Sequence, residues 1–60
     1  MLPRDINMLV SVINTYLRDE YPTLHELCLS LDEDEDALTA RLEAAGWRYD
    51  PEHNALSCMG

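Results

Sequence analysis

Four carboxylates, Asp32, Asp34, Asp36 and Glu43, stand at positions 1, 3, 5 and 12 of a twelve-residue frame, the spacing by which an EF-hand loop wraps oxygen ligands around calcium. The frame has Ala37 at position 6, where the sharp turn needs glycine, and Thr39 at position 8, which is usually aliphatic. Leu38 and Leu42 continue a helical face straight through it. Capping and complementation of a helix dipole account for the same acids without a metal, so calcium stays a minor alternative.

His25-x-x-Cys28 and His53-x4-Cys58 together offer two imidazole nitrogens and two thiolates, a zinc set correct in number and type. The second spacing is looser than usual. Cys28 falls on the apolar side of its segment, whereas His25, next to Leu24, points to solvent. A buried free thiol and a surface histidine explain these residues, and zinc is the other minor alternative. Neither histidine has a serine or cysteine placed beside it by any dependable spacing, and sixty residues leave little room for a substrate cleft. No enzyme, catalytic residue, metal or cofactor is expected.

Charge narrows the partners further. Residues 1–22 carry two arginines against three acids, residues 23–60 carry two against nine, and the chain has no lysine, giving a net charge of -8. Phosphate backbones are bound by neutralising them with Lys and Arg, so nucleic acid and anionic membranes are disfavoured and a basic protein partner is favoured. A helix that reads DNA would offer Arg, Lys, Asn or Gln to base edges, but residues 33–45 hold five acids and one arginine. Only Asn14, Arg18 and Arg48 suit such contacts. A helix-turn-helix transcriptional regulator is therefore the alternative reading rather than the first.

The elements that must position these residues are legible. Asp5 caps a helix running to about Asp19, with Ile6, Leu9, Val10, Ile13 and Leu17 as its apolar stripe, widened by Met8, Val12 and Tyr16. So broad a stripe fits a central core helix or one that also meets a second subunit. Asn14 interrupts it, and its amide is expected to bond backbone near the C-terminal hairpin, with a partner contact as the other reading. Tyr21-Pro22 stops the helix, and Thr23 with Glu26 forms a capping box for a second one faced by Leu24, Leu27, Cys28 and Leu31. Asp32 with Glu35 repeats the pattern for a third, faced by Leu38, Leu42 and Ala45 and ended by Gly46; Leu29–Asp32 joins the two. Beyond Gly46 the period becomes two, with Trp47 and Tyr49, then Leu56 and Cys58, on the inner face of a hairpin around Asp50-Pro51-Glu52-His53-Asn54.

Several of these segments carry a resemblance: Leu2-Pro3-Arg4-Asp5, Val12-Ile13-Asn14-Thr15-Tyr16-Leu17-Arg18-Asp19, Leu24-His25-Glu26-Leu27-Cys28 and Tyr49-Asp50-Pro51-Glu52-His53-Asn54. The chain resembles, over nearly its whole length, a family of short bacterial proteins known only as a domain of unknown function, DUF4250. The resemblance implies a stand-alone small bacterial protein and brings no activity, ligand or catalytic residue. A weaker likeness, in Leu24 to Leu42, is to helix-turn-helix domains, and it does not license DNA binding.

The expected fold is a mainly α single domain over residues 1–60: a three-helix, helix-turn-helix-like bundle with a C-terminal two-stranded hairpin, or wing. Its core is Ile6, Leu9, Val10, Ile13, Leu17, Leu24, Leu27, Leu31, Leu38, Leu42, Trp47, Tyr49 and Leu56. Two cysteines without a C-x-x-C pair suit reduced, partly buried thiols. With no signal peptide and no apolar run long enough to span a bilayer, a cytoplasmic location is expected. The expected function is a non-enzymatic protein–protein interaction module acting through an acidic helix face of Asp34, Glu35, Thr39 and Glu43, with a homodimer through Met8, Val12 and Tyr16 as a further expectation.

Overall fold

The computed structural model describes residues 2–59. Three helices, α1 (Ile6–Asp19), α2 (Leu24–Leu31) and α3 (Glu35–Ala44), lead into an antiparallel hairpin of β1 (Trp47–Asp50) and β2 (Ala55–Cys58). Each helix starts where a short polar side chain can accept one of the free amides of its first turn. Asp5 accepts from Asn7 N at 3.2 Å, and Thr23 Oγ1 accepts from Glu26 N at 3.1 Å, the forward half of the capping box.

The third helix starts two residues later than the spacing suggests. Asp34, not Asp32, is its cap, with Oδ1 accepting from Asp36 N at 3.0 Å and Ala37 N at 3.3 Å. Asp32 is instead the left-handed residue (φ 56°) that closes α2, and the following amide, Glu33 N, bonds Cys28 O at 2.9 Å. An aspartate tolerates that conformation better than most residues, so ending α2 uses up Asp32 before α3 can claim it. It follows that α2 runs on through Leu31 and the joining segment is Asp32–Asp34, not Leu29–Asp32. Asp34→Ala should lower stability by about 1 kcal/mol, the usual contribution of an N-cap, whereas Asp32→Gly should leave it nearly unchanged; urea melts followed by helical circular dichroism distinguish the two.

The helices bury Leu9, Val10, Ile13 and Leu17 from α1, Leu24, Leu27 and Cys28 from α2, and Leu38 and Leu42 from α3, with Leu56 of β2 completing the core. Ile6, Leu31, Trp47 and Tyr49 are partly buried and pack against it. Gly46 supplies the positive φ (88°) that turns α3 into β1. The hairpin register sets Trp47 opposite Cys58 and Tyr49 opposite Leu56. Cys58 is nevertheless exposed, because it is the last residue of a four-residue strand with only Trp47 across from it.

Two asparagines fasten the hairpin to α1. Met59 N donates to Gly46 O, so by the two-residue period of the ladder the amide of Leu56 points away from β1 and needs an outside acceptor. Asn14 Oδ1 provides it at 2.7 Å, as expected from its place in the stripe. Asn54, left-handed at φ 50°, donates its amide to Leu17 O and Tyr21 O, both at 2.9 Å, and accepts from Tyr49 Oη at 2.7 Å. The carbonyl of Leu17, in the last turn of α1, and that of Tyr21, just beyond the helix, thereby find their donor in the hairpin loop.

Candidate functional site

Between Glu26 and Glu43 the chain carries seven acids and one arginine. Three of these acids lie at the α2–α3 junction. Glu35, Glu33 and Asp34 all lie near enough to Cys28 to push its thiol pKa up, behind the larger effect of burial. Glu26 lies within electrostatic reach of His25. Arg41 of α3 does not neutralise this surface: its guanidinium donates to the backbone carbonyl of Arg4. The junction is thus a negatively charged rim with a buried thiol beneath it.

The four acidic-face residues expected from sequence have different duties. Asp34 is occupied as the α3 cap, and Glu35 Oε1 pairs with His25 Nδ1 at 2.7 Å across the two helices. Thr39 is half-buried. Glu43 is exposed, as is Asp36 seven residues before it, two turns along the same side of α3. Asp36 was legible as a helix-dipole acid and as a position of the calcium-loop frame, not as a surface contact; its exposure on the Glu43 side makes it the better surface residue.

The pKa of His25 lies above the ordinary histidine value, raised first by the hydrogen bond to Glu35 and then by that carboxylate's charge. A raised folded-state pKa means that the pair's contribution to stability is complete below the unfolded histidine pKa and fades as pH rises through the folded one. The contribution is small, because both side chains are largely in water. A proton NMR titration of the His25 ring should find a midpoint above that of an unstructured histidine, and Glu35→Gln should bring it down.

The metal arrangements suggested by spacing are not assembled. A helix runs from Glu35 to Ala44 where an EF-hand loop would have to curl, and Asp34 turns back to its own helix. His25 faces Glu35, His53 Nδ1 faces Asp50 Oδ2 at 2.6 Å, Cys28 is buried and Cys58 lies exposed at a strand end. Among the described residues no three His, Cys, Asp or Glu side chains are grouped to hold a metal ion.

An open groove of about 700 Å³ lies between α1 and the hairpin, lined by Ser11, Asn14, Thr15, Arg18, His53 and Asn54. Its polar groups are mostly engaged within the fold: both asparagines in fastening the hairpin, Arg18 with Asp19 at 2.9 Å, and Thr15 Oγ1 with Ser11 O at 2.9 Å. No helix among the described residues is long and apolar enough to cross a membrane.

Three helices closed by a fastened hairpin, with an acidic rim and a shallow groove, define a small mainly α domain with an acidic surface. The chain belongs to the family described as Domain of unknown function (DUF4250), whose profile matches residues 3–55. No curated protein and no solved structure matches it.

Proposed function

We propose that this protein is a non-enzymatic interaction module that receives a basic protein partner on the acidic surface of α2 and α3. One observation carries the reading: the α2–α3 junction gathers carboxylates while the single arginine of α3 turns to the backbone of Arg4. Such a surface attracts cationic partners, raises their association rate and repels polyanions. α3, the helix a DNA reader would insert, exposes Asp36 and Glu43, which face phosphates unfavourably.

The class of partner is tested by affinity capture on the immobilised chain from a bacterial lysate, split into nuclease-treated and untreated halves and quantified by mass spectrometry. Capture of a basic protein that survives nuclease supports the reading. Capture that disappears with nuclease would assign the protein to nucleic-acid binding instead.

A further inference from the structure

We propose that the groove between α1 and the hairpin binds a small organic carboxylate, held by the guanidinium of Arg18 and the side-chain amide of Asn14. The inference is independent of the acidic surface and begins from a departure in the charge pattern. Twelve of the sixty residues are acids, yet none of them lines this groove, and its lining includes Arg18 and His53. Ser11, Asn14, Thr15 and Arg18 fall at i, i+3, i+4 and i+7, so they share one side of α1. Met8, Val12 and Tyr16 do not border the groove: Met8 is exposed, and Val12 and Tyr16 are half-buried, with Tyr16 packed on the core.

The bonds that fasten the hairpin also fix what the groove offers. Asn14 Oδ1 is held by the Leu56 amide, which sets the orientation of the whole side-chain amide and makes its Nδ2 a donor in a fixed place. Among the described residues Nδ2 donates to no protein group, and no buried polar side-chain atom is left without a partner, so Nδ2 is open to solvent. Arg18 is oriented in a similar way. Asp19 takes Nε and Nη2, each at 2.9 Å, and leaves Nη1 and the second proton of Nη2 free of it. That remaining edge of the fork matches the two oxygens of one carboxylate. The Arg18–Asp19 pair lies in water, so sharing the guanidinium with a second carboxylate costs little.

Asn14 and Arg18 stand about one turn apart, roughly 6 Å along the helix, so both reach one carboxylate. Ser11 adds an exposed hydroxyl one turn before Asn14. Leu17 and Ala55 give the groove an apolar stretch of wall, and its volume of about 700 Å³ accommodates a molecule of metabolite size. The net charge of -8 opposes a dianion about twice as strongly as a monoanion, which favours a carboxylate over a phosphate.

Titration of the isotope-labelled full chain with sodium benzoate at constant ionic strength, followed by two-dimensional NMR, tests the site. Saturable shifts should concentrate at Ser11, Asn14, Thr15, Arg18, His53 and Asn54, the side-chain amide of Asn14 included. Benzamide, which has the same shape without the charge, and inorganic phosphate should each bind at least tenfold more weakly than benzoate. Arg18→Gln, at an exposed position, should weaken benzoate several-fold. Asn14→Asp keeps the acceptor for Leu56, and with it the hairpin, but sets a negative oxygen where the donor stood. It should weaken benzoate at least tenfold with unchanged circular dichroism. Shifts that never saturate or that spread over the whole surface, benzamide or phosphate binding as tightly as benzoate, or an unchanged benzoate affinity in either variant would each overturn the proposal.

Discussion

Asn54→Asp should destabilise the protein by about 3 kcal/mol, enough to unfold much of a domain this small at 37 °C. The substitution keeps the shape, the left-handed tendency and the oxygen that accepts from Tyr49. It removes the amide group that donates to Leu17 O and Tyr21 O, and sets a carboxylate against two carbonyl oxygens in a partly buried position. Asn54→Gly separates the two duties of the residue: glycine accepts φ 50° freely but offers no side chain, so it should cost about 2 kcal/mol through the lost bonds alone. Asn14 provides the opposite case. Its oxygen receives the Leu56 amide, so Asn14→Asp keeps an acceptor and should cost less than about 1 kcal/mol, whereas Asn14→Leu strands that amide and should cost about 2 kcal/mol. Urea denaturation of the four variants, read by far-ultraviolet circular dichroism, gives the order directly. Equal effects of aspartate at positions 14 and 54 would contradict the donor and acceptor roles.

Leu27→Ala should cost about 3 kcal/mol and leave the chain largely unfolded at ambient temperature. Leu27 is wholly excluded from solvent at the centre of the three helices, and a sixty-residue domain has few neighbouring side chains able to collapse into the space left by its lost methyl groups. The matching surface substitution, Leu29→Ala, removes the same atoms from a side chain that is 64 % exposed and should change stability by less than about 0.5 kcal/mol. Denaturation midpoints of this pair test whether the α2 face is oriented as described.

The fold was legible wherever a residue type has a local reason for its position. Asp5, Thr23, Tyr21-Pro22, Gly46 and the loop around Pro51 mark element boundaries through caps, fixed backbone angles and positive φ, and all five fall where those rules put them. The start of α3 was not legible. Asp32 and Asp34 are both competent caps, and the choice was made by the need of α2 for a left-handed terminator, a requirement of the preceding helix that the Asp-x-x-Glu pattern does not record. Asn14 could be assigned because one amide in an apolar stripe has to find a partner. Asn54 was legible only as a turn residue, since its bonds reach back 33 and 37 residues. The available signal was the use of asparagine where glycine would satisfy the turn equally well. In the candidate site the abundance of acids was plain, but their division into structural and free members was not, because capping by Asp34 and pairing of Glu35 with His25 depend on how α2 meets α3.

The central claim is that the acidic surface receives a basic partner, and substitutions at Asp36 and Glu43 test it without disturbing a cap or an interhelical pair. The chain and its Asp36→Lys/Glu43→Lys variant would be immobilised at equal density, exposed to the same nuclease-treated lysate and compared by quantitative mass spectrometry, with circular dichroism verifying that both are folded. The account predicts that a basic protein retained by the native chain is depleted at least tenfold on the variant, and that its retention on the native chain falls as salt is raised. Equal retention on the two surfaces would contradict it.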